Sequence, residues 1–152
     1  MEYPYASIVI FFKSTQDDLF LNGVIMQFAY TILYVNDVKQ SLAFYEKAFG
    51  MQTRFLHESG DYGELETGGT ALAFSSRALM QQLGKEVSTS DPRHPCFEIA
   101  LVSPDVAASV RRAVDAGATL MQEPQDMPWG QTIAYVADLD GALVEICTSM
   151  QA

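Results

Sequence analysis

Residues 138–147 read Asp-Leu-Asp-Gly-Ala-Leu-Val-Glu-Ile-Cys, a turn centred on Gly141 followed by an apolar segment with one carboxylate, Glu145, in its middle. An ionised Glu in such a segment loses favourable hydration unless a partner compensates for it. Leu143, Glu145 and Cys147 share one face of a strand, because side chains alternate between the two faces. If that face meets water, Glu145 is an ordinary surface residue. If it lines a cleft, Glu145 is a candidate functional group.

The same order of elements occurs twice in the chain. Alternating β-formers predict a strand, apolar residues at helical spacing predict a helix, and segments divided by glycines predict three more strands. Asn36 or Asp37 is the predicted cap of the first helix, and Ser103 that of the second. In the first half the predicted elements are a strand at 28–35, a helix from Val38 to Gly50, and strands at 52–58, 61–67 and 70–76. In the second they are a strand at 97–102, a helix ending at Gly117, and strands at 119–122, 131–137 and 143–148.

The two halves are in register along the sequence. Tyr30 precedes Asp37 by seven residues, and Glu98 precedes Asp105 by the same seven. One helix can cover only one face of each sheet, so the other face needs a partner sheet or encloses a cavity. Register and strand parity place four positions on these helix-free faces, where we expect a shared cleft: Tyr30, Ala73, Glu98 and Glu145.

Length and pattern indicate an α+β protein of two βαβββ modules. The predicted division is an N-terminal extension at 1–25 and one domain at 26–152, with modules at about 27–76 and 95–150 and a polar connector at 77–94. In the extension, the apolar run from Ala6 to Phe12 is too short to span a membrane and lacks the features of a signal peptide.

Charge excludes some classes of partner. Nine Lys and Arg against nineteen Asp and Glu give a formal charge of −10, which disfavours nucleic acids and anionic membranes. The two cysteines, Cys96 and Cys147, lie in apolar segments without metal-binding spacing. They are predicted to be reduced core thiols of a cytoplasmic protein.

The chain resembles the vicinal oxygen chelate superfamily, which includes glyoxalase I, the extradiol dioxygenases and the bleomycin resistance proteins. The resemblance covers about Gln27 to Met150 and is carried by the repeated unit, by Tyr34-Val35-Asn36-Asp37 before Ser41-Leu42-Ala43-Phe44-Tyr45, and by Asp138-Leu139-Asp140-Gly141 before Leu143-Val144-Glu145. It implies a glyoxalase-like open β-barrel cleft formed by the two modules. It also implies a homodimer.

Metal-dependent proteins of that superfamily place ligands on the first and last strands of each module. The matching positions here are Tyr30, Ala73, Glu98 and Glu145, of which only Glu145 keeps the usual ligand. Two carboxylates without an imidazole suit Mg²⁺ or Mn²⁺ better than zinc, nickel or iron. The cofactor is therefore either none or a divalent metal held by Glu98 and Glu145.

Glu98 and Glu145 are also the candidate catalytic pair. They belong to neighbouring strands, so one of them is expected to have a raised pKa and to act as a proton donor. A protonated pair with only a structural role is the alternative. Trp129 beside Gly130 can stack on a planar ligand, and the other candidate ligand-binding residues are Tyr30, Gln131 and His57. Four aromatic residues are instead predicted to lie in the core: Phe28, Tyr34, Tyr62 and Phe74.

Three functions are compatible with these residues. We favour a metal-free, small-molecule-binding protein of the bleomycin-resistance type with an incomplete metal site. A divalent-metal-dependent, glyoxalase-type lyase or isomerase using Glu98 and Glu145 is the alternative. In the third, the cleft is filled by its own side chains and the domain serves assembly.

Overall fold

The structure is a computed structural model that describes residues 26–150, so the predicted extension at 1–25 lies outside the described residues. Its first half contains β1 (Tyr30–Val35), α1 (Val38–Phe49), β2 (Thr53–Leu56), β3 (Tyr62–Leu65) and β4 (Ala71–Ser76). A short helix, α2 (Arg77–Gln82), opens the connector. The second half contains β5 (Ile99–Val102), α3 (Val106–Ala116), β6 (Thr119–Asp126), β7 (Thr132–Ala137) and β8 (Leu143–Cys147).

Each half forms a four-stranded mixed sheet. The strand orders are β1-β4-β3-β2 and β5-β8-β7-β6, so the first and last strands of each half are neighbours. Those two strands run parallel, and the other pairs are antiparallel. Within residues 26–150 the sheets are not closed into a barrel, which confirms the predicted α+β fold of two βαβββ modules with an open cleft. None of the helices in this part of the chain has the length and hydropathy that crossing a bilayer requires.

Both long helices begin at an Asp and end at a Gly. The Asp37 carboxylate accepts a hydrogen bond from Gln40 N, and Gly50 ends α1 in the left-handed conformation, with φ of 72°. In the second half the cap is Asp105, which accepts from Ala108 N, so the prediction that Ser103 is the cap is wrong. Ser103 lies two residues earlier, where its hydroxyl accepts from Asp105 N.

The core lies between the helices and the sheet faces that they cover. α1 packs against α3, and buried residues from both halves form one apolar cluster. Leu33 and Val35 belong to this cluster, as do Val144 and Ile146. Their strand neighbours point to the opposite, helix-free faces, as the parity argument predicted.

Two of the aromatic core predictions are wrong. Phe74 is fully buried and Tyr62 is half-buried, but Phe28 and Tyr34 are 72% and 37% exposed. Tyr34 lies on the helix-free face of β1, and Phe28 precedes the strand, so α1 covers neither side chain.

The Asp138–Gly141 turn joins the two halves. Asp138 is buried and accepts hydrogen bonds from Ala142 N at 2.8 Å and from the hydroxyl of Tyr45, on α1, at 3.0 Å. Asp140 accepts from Asn36 N at 2.9 Å and lies 3.1 Å from a guanidinium nitrogen of Arg77. The turn before β8 is therefore held by groups of the first half, and this fixes the direction in which β8 leaves it.

Candidate functional site

Glu145 lies in the middle of β8 on the helix-free face. It is half-buried, whereas its neighbours Val144 and Ile146 belong to the core. The pairing of β7 with β8 places Tyr135 directly across from it. The Tyr135 hydroxyl donates a hydrogen bond to Oε2 of Glu145 at 2.9 Å. This phenol compensates in part for the hydration that the carboxylate loses.

Glu98 directly precedes β5 and is brought to Glu145 by the parallel pairing of β5 with β8. Partial burial raises the pKa of Glu98, and the charge of Glu145 and a hydrogen bond with its side chain raise it further. The neighbouring Glu145 therefore makes it harder for Glu98 to lose its proton. Glu98 itself is exposed, so its carboxyl group can exchange protons with solvent.

Cys147 completes the group, two residues after Glu145 on the same face of β8. Burial raises its pKa to about 11, with further contributions from a hydrogen bond and the charge of Glu145. Burial, followed by the hydrogen bond to Glu145, raises the pKa of Tyr135 to about 12. Glu98, Tyr135, Glu145 and Cys147 are called the carboxylate cluster below. At neutral pH only its carboxyl groups carry charge.

The equivalent positions in the first half are organised differently. Ala73 is fully buried, and its partner across β3 is Glu64, which is only 7% exposed. Glu64 accepts a hydrogen bond from the Tyr62 hydroxyl at 3.0 Å and pairs with Arg54 at 3.6 Å. Burial raises the pKa of Tyr62, and the charge of Glu64 raises it further. In the first half the carboxylate therefore lies on β3, next to β4, which is the strand equivalent to β8.

The donor set does not fit the metal site that the fold implies. Tyr30, Ala73, Glu98 and Glu145 provide no imidazole, and Ala73 provides no ligand atom at all. Within residues 26–150, no three His, Cys, Asp or Glu side chains are grouped closely enough to hold a metal ion. A zinc, nickel or iron centre needs at least three protein ligands of suitable kind.

Trp129 and Gln131, the two predicted ligand-binding residues before β7, are hydrogen-bonded to each other. The Trp129 indole N–H donates to the Gln131 side-chain oxygen at 2.9 Å, and the Gln131 amide nitrogen donates to the Thr148 carbonyl at 2.8 Å. The indole is 57% exposed in the turn between β6 and β7. Neither residue lines the two cavities described below, so stacking of Trp129 on a ligand stays a prediction.

The two histidines are held by local partners. His57 lies just after β2, and its Nδ1 is 2.9 Å from the Ser59 hydroxyl. Nδ1 of His94, in the connector, is 3.1 Å from Asp91 Oδ2. Cys96 is exposed between the connector and β5, so its prediction as a core thiol is wrong, whereas that for the buried Cys147 is right. Cys96 lies outside the regular strands and is covered by neither helix.

Among the cavities lined by residues 26–150, two lie between the halves. The larger, of about 520 Å³, is bounded by β1, the connector and the start of β8. The smaller, of about 270 Å³, is lined by Glu98 together with residues of β1, β4 and β5. Phe97 lines both cavities and forms a common wall.

The sequence singled out Glu98 and Glu145 as candidate site residues, but not Tyr135, Cys147 or Glu64. Strand parity places Cys147 on the face of Glu145, since the two residues are two apart on β8. Tyr135 lies on β7, so its position beside Glu145 depends on the pairing of β7 with β8, which parity within one strand does not specify. The repeat did not point to Glu64, because the residue at the equivalent position of the second half is Tyr135, which is not a carboxylate.

Comparison with known proteins agrees with this architecture. The profile of the Glyoxalase/Bleomycin resistance protein/Dioxygenase superfamily matches residues 27–146. The uncharacterized protein YraH of Bacillus subtilis (strain 168) is 27% identical over 117 residues, covering 75% of this chain and 91% of YraH. A glyoxalase-related enzyme from Fulvimarina pelagi superposes with a TM-score of 0.71 at 26% identity, covering 82% of this chain and 89% of that one. TioX from Micromonospora sp. ML1, at 24% identity and a TM-score of 0.61, covers 81% and 98% and shares the fold. The two modules, their open cleft and the match over nearly all described residues place this chain in the glyoxalase/bleomycin resistance protein/dioxygenase superfamily.

Proposed function

We propose that this protein binds a small molecule at the carboxylate cluster without a catalytic metal, in the manner of a bleomycin-resistance-type binding protein. One observation carries the proposal. The parallel pairing of β5 with β8 brings Glu98 and Glu145 together on a helix-free face, while the two other positions at which the superfamily holds metal are Tyr30 and Ala73. The cluster thus provides polar recognition without the ligands of a transition-metal centre.

The charge of the cluster indicates which ligands it favours. Glu98 and Glu145 place two carboxyl groups on this face, so a ligand there meets an acidic surface. The whole chain carries a formal charge of −10, which also attracts cations. A ligand with an ammonium, amidinium or other hydrogen-bond-donating group therefore fits Glu145, with Tyr135 holding the carboxylate in place.

The proposed assembly is a homodimer in the cytoplasm. Several large apolar side chains are exposed on the helix-free faces outside the cavities, among them Phe55 on β2 and Val102 on β5. A second copy of the chain would cover such residues and close the open clefts. The sedimentation mass of the purified protein tests this, and a mass of one chain would contradict it.

Metal analysis and turnover distinguish this function from the metal-dependent alternative. The full chain, purified without added metal, is expected to contain much less than one equivalent of metal. It is also expected to show no turnover of thiohemiacetals with added Ni²⁺, Zn²⁺ or Mn²⁺. Stoichiometric metal together with turnover would show that the protein is a glyoxalase-type enzyme.

Binding itself is tested by calorimetry with a panel of aromatic amines and amidines. We expect Glu145→Gln to weaken binding of any ligand found about tenfold or more, because loss of a charged hydrogen bond costs roughly 1.5–3 kcal/mol. Glu123→Gln is the matched control, since Glu123 is an exposed residue of β6 outside the cluster. Equal affinities of the two variants would contradict the proposed site.

A further inference from the structure

The larger cavity lies on the helix-free side of β1 and is covered by the connector. Its floor consists of apolar side chains, chiefly Ile32, Tyr34, Phe97 and Leu143. Its opposite wall is polar and comes from the connector, including Ser88, Thr89 and Ser90. A volume of about 520 Å³ lies within the range of pockets that bind small organic molecules, which also combine apolar walls with a few polar groups.

This cavity is separate from the carboxylate cluster. Tyr135, Glu145 and Cys147 do not line it, and Glu98 lines the smaller cavity on the other side of Phe97. Binding at the cluster therefore does not by itself fill the larger cavity.

The connector that covers the cavity is held in place at its middle. An ideal Cβ on Gly141 would lie 2.7 Å from the Ser90 carbonyl oxygen, so the two backbones touch where only a glycine fits. Gly141 also has a φ of 87°. Asp91 accepts hydrogen bonds from Arg93 N at 2.9 Å and from its Nε at 3.3 Å, and its second oxygen is 3.1 Å from His94 Nδ1.

The charged groups at the rim are mostly acidic. Asp91 and Glu86 both line the cavity, and His94 is the one basic-type side chain in its lining. A hydrogen bond with His94, followed by those with Arg93, lowers the pKa of Asp91 to about 2. Asp91 is therefore ionised near neutral pH, and exposed Glu86 adds a second carboxylate. Arg93 contacts Asp91 from outside the lining.

We propose that the connector and β1 form a second small-molecule site, which takes an organic cation with a flat apolar body. The apolar body lies on Ile32, Tyr34 and Phe97, and the cationic group meets the acidic rim at Glu86 and Asp91. The site is independent of the ligand bound at the carboxylate cluster.

Cys96 provides a local readout of this site. Its exposed thiol lines the cavity, whereas the other thiol, Cys147, is buried. A molecule in the cavity should slow alkylation of Cys96 by the neutral reagent iodoacetamide, which mass spectrometry localises to the residue. Three probes share one indole ring and differ in charge: tryptamine is a cation, tryptophol is neutral and indole-3-acetate is an anion.

With the full chain, saturating tryptamine is expected to slow Cys96 alkylation at least threefold. Tryptophol should protect at higher concentration only, and indole-3-acetate should not protect. Absence of protection by tryptamine would overturn the site. Equal protection by indole-3-acetate would overturn the assigned ligand class.

A cavity-filling variant tests the location. Ile32→Trp places a larger side chain on the floor of the cavity and should abolish protection by tryptamine. Leu56→Trp is the matched control, because Leu56 is 37% exposed and Ile32 43%, and Leu56 does not line the cavity. Circular dichroism checks that both variants are folded. Protection retained in Ile32→Trp, or lost equally in Leu56→Trp, would contradict the location.

Glu145→Gln separates the two sites. This variant should lose affinity at the carboxylate cluster while tryptamine protects Cys96 as in the wild type. Loss of protection in Glu145→Gln would show that the carboxylate cluster and the larger cavity form one site, and the independence proposed here would be wrong.

Discussion

The buried hydrogen bond between Tyr45 and Asp138 should contribute measurably to the free energy of unfolding. Tyr45 is fully buried on α1, and its hydroxyl donates to Asp138 Oδ2 at 3.0 Å across the junction of the two halves. Tyr45→Phe removes this one hydroxyl. The ring still packs on Phe74, with centroids 5.0 Å apart, and on Phe49 at 5.2 Å.

The expected loss of unfolding free energy depends on Asp138, the acceptor that loses a hydrogen-bond donor. Asp138 keeps the backbone donors Asp140 N and Ala142 N on Oδ1, but Oδ2 loses the bond from Tyr45. A hydrogen bond to a charged group contributes about 1.5–3 kcal/mol, so we expect a loss of about 2 kcal/mol. For a chain of this length, each kcal/mol changes Tm by about 3 °C, which predicts a decrease of about 6 °C.

Urea unfolding followed by circular dichroism measures the change. Tyr34→Phe is the control, because it removes the same atom from a side chain that is 37% exposed, and it should change stability by less than about 0.5 kcal/mol. Equal effects of the two variants would refute the role given to the buried hydrogen bond. So would an unchanged midpoint and slope for Tyr45→Phe.

Three further predictions concern pH, backbone and the cluster. Burial, and next the charge of Asp138, raise the pKa of Tyr45 well above 10. The contribution of the Tyr45 hydroxyl to the free energy of unfolding is therefore fully present below pH 10 and is lost as the pH rises above 10. The stability difference between wild type and Tyr45→Phe should therefore narrow above pH 10, by at most about 1.4 kcal/mol per pH unit in urea unfolding. Gly141→Ala should lower the free energy of unfolding by about 1–3 kcal/mol more than Gly68→Ala does, because both glycines have positive φ but only Gly141 touches the backbone of another segment. Equal losses of stability would contradict the packing of Gly141 against the connector. Glu145→Gln should lower the pKa of Glu98 in an NMR titration while partial burial keeps it above its ordinary value, and an unchanged pKa would show that the two carboxyls do not interact.

Local sequence patterns predicted the elements and their repetition. Alternation predicted the strands, helical spacing and Gly50 predicted α1 with its end, and the equal intervals from Tyr30 to Asp37 and from Glu98 to Asp105 predicted two modules in register. These features depend on neighbouring residues and on strand geometry, which the chain specifies locally. The resemblance to the superfamily, and not these local patterns, implied that the first and last strands of a module are neighbours, which brings Glu98 and Glu145 together.

Contacts between distant segments were beyond such reasoning. Tyr45, on α1, donates to Asp138, in the turn before β8, although no local pattern relates these two residues. The larger cavity exists because the connector returns over β1 and touches Gly141.

The sequence by itself therefore determined the two modules, the position of Glu145 on the last strand and that of Glu98 beside the first strand of the second module. Only the tertiary structure decided that Tyr135 and Cys147 surround Glu145, that Glu64 lies opposite Ala73, and that Tyr34 is exposed. The physical reason is that periodicity specifies which face of its own strand a side chain occupies. What covers that face depends on strand register and on the packing of one module against the other.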